Sequence, residues 1–123
     1  MTELDGFVVY DSKEIIGLVT YRVKGHECEI MSMDSLKEKQ GIGTSLVKKV
    51  IEKAKSLGCN RLKLITTNDN IYALKFYQKL GFDMTNLYRN ALDLSRKLKP
   101  SIPLTGNFDI PLKHEIEFEL NLE

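Results

Sequence analysis

Apolar and polar residues alternate in three short stretches at the start of the chain. Residues 7–10 and 15–23 are rich in β-branched and aromatic side chains, and a polar turn at 11–14 separates them. A second turn at 24–26 contains Gly25, and residues 28–33 form a third run of the same kind. Short alternating runs joined by turns are typical of neighbouring antiparallel strands. The pattern therefore predicts a three-stranded meander.

The period then changes to that of a helix. Apolar residues recur on one helical face at Ile42, Leu46, Val47, Val50, Ile51 and Ala54. Gly58 is placed to end this helix in the left-handed conformation. Residues 61–66 predict a strand, and the polar triplet 68–70 offers N-cap side chains for a second helix over 71–80, which Gly81 ends.

The remaining third of the chain mixes strand, helix and irregular segments. Residues 82–87 predict a strand, 90–99 a helix ended by Pro100, and 101–111 an irregular segment with several prolines. Residues 114–122 alternate strictly, which predicts a strand with one dry apolar face and one wet acidic face. The resulting order β-β-β-α-β-α-β-α-β indicates an α/β (α+β mixed sheet) fold in a single domain over residues 1–123.

Composition narrows the class of protein. A chain of 123 residues with 42% hydrophobic content can build one core, and 18 basic against 17 acidic residues argue against a nucleic-acid or membrane partner. The first six residues are polar and acidic, unlike a secretory signal. Cys28 and Cys59 lack metal-ligand spacing, so we expect no metal site and reduced thiols in a cytoplasmic protein.

A glycine turn precedes the first predicted helix. Gln40, Gly41, Ile42, Gly43 and Thr44 follow the third predicted strand. Glycines let main-chain N–H groups approach a ligand closely, and the first N–H groups of a helix form an anion site suited to a pyrophosphate. Neither a Walker loop nor a dinucleotide fingerprint is present. A plain strand-to-helix turn with two glycines is the alternative interpretation.

A second motif accompanies this turn. Asn70, Ala73, Phe76, Tyr77, Leu80, Gly81 and Phe82 form the string N-x-x-A-x-x-F-Y-x-x-L-G-F. With the glycine turn upstream, the chain resembles the GCN5-related N-acetyltransferase (GNAT) family over roughly residues 15–82. The resemblance implies that family's fold, truncated at the N-terminus, and direct acetyl transfer from acetyl-CoA to a primary amine of a small-molecule or peptide acceptor.

The resemblance also implies which residues bind acetyl-CoA. The glycine turn would wrap the pyrophosphate, strands 28–33 and 61–66 would splay around the pantetheine arm, and a backbone N–H near Met33 would face the thioester carbonyl. Asn70 would hydrogen-bond the arm, although a simple N-cap is its alternative role. The expected cofactor-binding residues are Met33, Lys39, Gln40, Gly41, Ile42, Gly43, Thr44, Ser45 and Asn70.

Two residues are candidates for the proton transfers. Tyr77 matches the family tyrosine that protonates the departing thiolate, and its alternative role is a buried core aromatic. Glu29 is the first candidate for the general base, ahead of Glu27, Asp34 and His26. For each carboxylate the alternative is a solvated strand residue paired with lysines, and a water chain could also remove the proton.

Several positions depart from the family pattern. Glu38 stands where the family usually has Gln or Arg. Because the first predicted strand starts near residue 7, we expect the helices that cover the acceptor side in the family to be missing. The long connection 90–111 is a candidate substitute for that cover, or for the contact of a homodimer. A CoA-binding regulatory or assembly module without catalysis, and a module for another phosphate ligand, are the rival interpretations.

Overall fold

The residues that the structure describes form a mixed sheet of six strands with three α-helices. A computed structural model describes residues 5–35 and 41–123. The strands are β1 (Asp5–Asp11), β2 (Glu14–Lys24), β3 (Glu27–Ser35), β4 (Arg61–Thr67), β5 (Asp83–Tyr88) and β6 (Glu115–Asn121), and the helices are α1 (Ile42–Ser56), α2 (Ile71–Lys79) and α3 (Ala91–Leu98). Every strand and helix that the sequence predicts is present within two residues of its expected bounds.

The strand order is β1-β2-β3-β4-β6-β5. Strands β1, β2 and β3 pair in antiparallel fashion, as the meander predicts, whereas β3 and β4 pair in parallel. The chain divides into two compact units, one of residues 5–35, 41–64 and 121–123 within the described part and one of Ile65–Leu120. The prediction of one domain over 1–123 stays a prediction.

In the first unit, α1 packs its apolar face on the sheet. Leu46, Val47, Val50 and Ala54 are almost fully buried, while the lysines at 48 and 49 are exposed. Gly58 follows the helix with φ of 82°, the left-handed conformation that glycine adopts without strain. Burying apolar surface at about 25 cal/mol per Å² is the main force that holds such a helix on its sheet.

In the second unit, α2 contributes an aromatic cluster. The Tyr77 ring lies edge-on to Phe82 at a centroid distance of 5.4 Å and is tilted against Phe118 of β6 at 6.0 Å. Phe118 is fully buried, and Gly81 has φ of 99° where the chain leaves α2 for β5. Edge-to-face aromatic pairs add about 0.5–1.5 kcal/mol each beyond the burial of their area.

The prediction that the acidic face of residues 114–122 is exposed to water is wrong for its central residue, Glu117. Glu117 is only 7% exposed. Its carboxylate accepts hydrogen bonds from Asn86 Nδ2 at 2.6 Å and from the Tyr88 hydroxyl at 3.2 Å, both on the neighbouring strand β5. The alternation of residue types shows which side chains share a face. Burial of a carboxylate on that face is possible only because polar side chains of β5 replace the hydrogen bonds that it loses to water.

The irregular segment after α3 is held by one arginine. The Arg96 guanidinium pairs with Asp93 at 2.7 Å and donates hydrogen bonds to the carbonyl oxygens of Ile102, Pro103 and Leu112. A planar group with five donors can satisfy several main-chain acceptors at once. This segment therefore keeps a defined conformation although it contains little regular structure.

A substitution of Gly17 on β2 tests how closely α1 packs against the sheet. A Cβ at this position would lie 2.7 Å from Ile42 Cγ2 and 3.2 Å from Leu46 Cδ1. We expect Gly17→Ala to lower the free energy of unfolding by about 1–3 kcal/mol, because overpacking displaces the start of α1. Urea denaturation measures this loss. Adding Ile42→Ala should reduce the cost of Gly17→Ala, and additive costs in the double variant would contradict the steric explanation.

Candidate active site

Helix α1 begins with an open first turn. Gly41 precedes it with φ of 97°, and the first helical hydrogen bond runs from Ser45 N–H to the Gly41 carbonyl at 2.8 Å. No side chain caps this end in the described part of the chain, and the first turn holds no acidic residue. The N–H groups of Ile42, Gly43 and Thr44 therefore have no acceptor within the helix, and the helix dipole makes this end favourable for an anion.

The start of α2 differs because the side chain of Asn70 caps it. The Asn70 side-chain oxygen accepts a hydrogen bond from Ala73 N–H at 3.1 Å, so the N-cap expected for Asn70 is confirmed. This bond uses the amide oxygen and leaves the amide N–H₂ group of the same side chain as a donor. Binding of the cofactor arm by Asn70 stays a prediction.

The predicted binding turn is only partly within the described residues. Lys39 and Gln40, and also Glu38, lie outside them. Gly41 is exposed and carries the left-handed φ, whereas Gly43 is the second residue of α1. Thr44 is half-buried and Ser45 is exposed on the same first turn, and both carry hydroxyl groups. Of the two glycines, only Gly41 is therefore required by backbone conformation.

Strand β3 contains a bulge close to Met33. Ser32 faces Thr20 on β2, but Ile30 faces Tyr21, so Met31 is an extra residue without a partner in the register. Met33 lies two residues further on, opposite Val19. Bulges locally disrupt the ladder and reorient neighbouring groups, and they are over-represented next to active sites. The sequence gives no signal for this bulge, since β3 has an ordinary strand composition.

Within the first unit, β3 pairs in parallel with β4, and this pairing covers Glu27–Ile30 against Arg61–Leu64. The slot between diverging strands that the family resemblance implies stays a prediction.

Glu29 and Glu27 extend from the same face of β3 and form ion pairs. Glu29 Oε1 accepts from Arg22 at 3.1 Å. Glu27 pairs through Oε1 with Arg61 at 3.0 Å and through Oε2 with Lys63 at 3.2 Å. The expected alternative, a solvated strand carboxylate paired with lysines, is met only in part, because Glu29 pairs with an arginine and its side chain is only 15% exposed, whereas Glu27 pairs with an arginine and a lysine. General-base catalysis by Glu29 stays a prediction.

Tyr77 lies deep in the second unit. Its side chain is only 5% exposed and is surrounded by Phe76, Phe82 and Phe118. Burial raises the pKa of Tyr77 to about 12, since the phenolate is poorly solvated there. The phenol consequently keeps its proton throughout the physiological range. The structural role expected as the alternative is observed, and the acid role stays a prediction.

Both cysteines are buried and have poorly ionised thiols. Burial, with smaller contributions from Cys59 and Glu29, raises the pKa of Cys28 to about 12, and burial also raises the pKa of Cys59. Such thiols are weak nucleophiles. Among the residues that the structure describes, no cluster of three or more His, Cys, Asp or Glu could hold a metal ion. The described helices are all too short or too polar to cross a membrane.

The two residues before Asn70 hold the segment that leads to β6, a role that sequence analysis missed. Asp69 accepts hydrogen bonds from Thr67 Oγ1 at 2.5 Å and from Asn107 N–H at 2.9 Å. Asn68 Oδ1 accepts from the N–H groups of Lys113 and His114. Consecutive polar residues between a strand and a helix are a signal for capping, but nothing in the sequence indicates their distant partners.

Comparison with known proteins places these features in a family. The model of the Acetyltransferase (GNAT) family matches residues 2–82. The protein YdhI of Bacillus subtilis strain 168, described only as uncharacterized, is 50% identical over 117 residues, which are 94% of this chain and 73% of that protein.

Solved structures agree with this match. A GNAT family acetyltransferase from Elizabethkingia anophelis with acetyl-CoA bound superimposes with a TM-score of 0.82 at 26% identity, over 98% of this chain and 76% of that one. A Bacillus subtilis acetyltransferase in complex with CoA has a TM-score of 0.82 at 24% identity, over 96% of this chain and 76% of that one.

The fold and these comparisons define an acyltransferase. The chain belongs to the GNAT family of N-acetyltransferases. The family resemblance, the mixed α/β fold and the assignment as an N-acetyltransferase are thereby confirmed.

Asp69 makes stability depend on pH. Its burial raises the pKa, but hydrogen bonds from Thr67 and Asn107 outweigh this effect, so the pKa of Asp69 lies below its ordinary value. The carboxylate therefore stabilises the fold above its unfolded pKa, and this stabilisation is lost as pH falls through the folded pKa. We expect Asp69→Asn to cost about 1.5–3 kcal/mol near neutral pH, because the substitution removes charge-assisted hydrogen bonds.

Urea unfolding at a series of pH values measures this effect. The gap in unfolding free energy between the wild type and Asp69→Asn should narrow as the solution becomes acidic. Asp83→Asn, at an exposed position of β5, is the matched control and should change stability little at any pH. A gap that stays constant with pH would show that the charge of Asp69 contributes nothing.

Proposed function

We propose that the protein is an acetyl-CoA-dependent N-acetyltransferase that transfers the acetyl group directly to a primary amine of a small-molecule or peptide acceptor. Membership of the GNAT family supports this activity, and the relative from Elizabethkingia anophelis was crystallised with acetyl-CoA. The observation that carries the proposal is the uncapped start of α1, which offers N–H donors to an anion and holds no acidic side chain.

The residues at this helix start fit a diphosphate. In the proposal, the N–H groups of Ile42, Gly43 and Thr44 donate to the phosphate oxygens, and the hydroxyls of Thr44 and Ser45 add donors. Lys39 and Gln40 are proposed to contribute from just before the turn. Gly41 leaves the approach open, because no described atom lies within 4 Å of the position that its Cβ would take. Acetyl-CoA, when bound, supplies the activated acetyl group as a thioester.

Tyr77 is proposed as the proton donor. A phenol with a pKa of about 12 transfers its proton readily only to a base whose conjugate acid has a similarly high pKa. A thiolate that forms in a water-excluded site meets this condition, because its own basicity rises on desolvation. The buried tyrosine would thus remain protonated until the thiolate forms. A backbone N–H near Met33 is proposed to donate to the carbonyl oxygen, and Asn70 to the arm of the cosubstrate.

Glu29 is proposed as the general base. Its side chain lies 3.1 Å from Arg22 in an ion pair, and in the proposal its carboxylate accepts a proton from the acceptor ammonium directly or through a water molecule. Cytoplasmic location is part of the proposal, since two free buried thiols are typical of a reducing compartment.

A CoA-binding module without catalysis is the second candidate. The burial of Tyr77 among three phenylalanines favours it, because a tyrosine that packs in the core would occupy the same position. Release of free CoA with a panel of polyamines, amino acids and peptides separates the candidates. Saturable binding of acetyl-CoA without release in the presence of any amine would favour the binding module.

Substitutions of two glycines at opposite ends of α1 test whether the start of this helix binds the phosphates of acetyl-CoA. Both Gly41 and Gly58 have positive φ and open space around the Cβ position, so Ala at either site carries a similar conformational cost. We expect Gly41→Ala to weaken acetyl-CoA binding by roughly tenfold, or about 1.4 kcal/mol, as measured by calorimetry. Gly58→Ala should lose comparable stability but retain affinity. Equal affinities in the two variants would locate the phosphates elsewhere.

Removal of one hydroxyl tests the acid. Tyr77→Phe keeps the aromatic packing and should lower kcat by about a hundredfold, the usual scale for a general acid, with little change in the dissociation constant for acetyl-CoA. Stopped-time assays of CoA release and thermal unfolding of the same samples give the two readouts. Tyr10→Phe, at an exposed position of β1, is the control. Unchanged turnover in Tyr77→Phe would assign this residue to the core alone.

A further inference from the structure

A charged cavity lies on the face of the first unit formed by β2, β3 and β4. Its volume is about 290 Å³, and its lining residues are Arg22, Lys24, Glu27, Glu29 and Lys63. The volume is at the lower end of the range for small-molecule sites. All five lining side chains are ionisable, so this cavity is suited to a charged ligand group rather than to an apolar one.

The strand register explains how these charges are arranged. On β2, Arg22 faces Glu29 and Lys24 faces Glu27. On β4, Arg61 is opposite Glu27 and Lys63 is opposite Glu29. Directly opposite residues project from the same face of a sheet. The two carboxylates of β3 therefore form a central row between two rows of cations.

The ion pairs leave this face with excess positive charge. Both oxygens of Glu27 are engaged, one by Arg61 and the other by Lys63, and Glu29 Oε1 is engaged by Arg22. The cavity lining itself holds three cations and two carboxylates, which leaves one positive charge. Among the described residues that line the cavity, Lys24 is the cation without an ion pair.

We propose that this cavity binds an anionic group of the acceptor, a carboxylate or a phosphate, with Lys24 as its principal contact. This inference rests on the proposed function, because it takes Glu29, which lines the same cavity, as the residue that receives the acceptor amine. The excess positive charge attracts an anion and repels a second ammonium group. The acceptor class is thus an amine that carries an acidic group, and polyamines are disfavoured.

A matched set of amines tests the charge preference by direct binding. The full chain, saturated with CoA so that no transfer occurs, is titrated with 4-aminobutyrate, 2-aminoethyl phosphate and butane-1,4-diamine at constant ionic strength, while backbone amide signals are followed by NMR. The acids should cause saturable shifts at residues 22–29, and the diamine should not. The stronger of the two acids identifies carboxylate or phosphate as the preferred group.

Variants of Lys24 assign the contact. Lys24→Gln should weaken binding of the preferred acid by at least about tenfold, and Lys24→Glu should reverse the preference towards the diamine. Lys13→Gln removes the same charge from the exposed β1–β2 turn and should leave both affinities unchanged. Circular dichroism of each variant confirms folding.

Three outcomes would overturn the inference: shifts with the diamine that equal those with the acids, no saturable shift at residues 22–29 with any probe, or equal effects of Lys24→Gln and Lys13→Gln. Calorimetry with acetyl-CoA on the same samples is read separately. If the wild-type protein does not bind acetyl-CoA, the proposed function is contradicted. If it binds acetyl-CoA but neither of the two amine-bearing acids, only this inference is contradicted.

Discussion

The first turn of α1 is the feature on which the proposed chemistry depends. A helix start leaves N–H groups without acceptors, and proteins usually satisfy them with a capping side chain. Here Gly41 turns the chain into α1 and provides no side chain, so the donors of Ile42, Gly43 and Thr44 remain available for a ligand. The apolar face of α1 is buried on the sheet of the first unit, and this packing keeps the donors in place.

In the second unit, the start of α2 is capped by a side chain of the protein itself and is not left open as the start of α1 is. Asn70 caps α2 with its own side chain, while Asn68 and Asp69 bind main-chain groups far along the chain, at 107 and at 113–114. Buried polar groups need partners, and three consecutive polar residues supply them here. This polar triplet therefore organises the start of α2, the segment after α3 and the beginning of β6 around one short stretch of sequence.

The charged face of β2, β3 and β4 combines two properties. Its ion pairs are partly exposed to solvent, so each adds little to stability. Their effect on a ligand is different, because a concave surface with net positive charge selects among acceptors by sign. A family fold that is shared by many acetyltransferases can in this way acquire its own acceptor preference from a few strand residues.

Local patterns were sufficient for most of the architecture. The period-2 runs, the helical period of Ile42 to Ala54 and the breaks at Gly58 and Gly81 predicted strands and helices correctly, since each depends on residues that are near each other in the chain. The glycine turn and the motif that contains Asn70 and Tyr77 predicted the family for the same reason.

Other features depend on partners that the chain brings together only on folding. Burial of Glu117 requires Asn86 and Tyr88 across the strand pair, the lowered pKa of Asp69 requires Asn107, and the bulge at Met31 requires a register offset against β2. The sequence by itself determined the elements, the family and the residue types of the candidate site. Only the tertiary structure decided which carboxylates are paired, buried or ionised, because those properties come from neighbours that are distant in the chain.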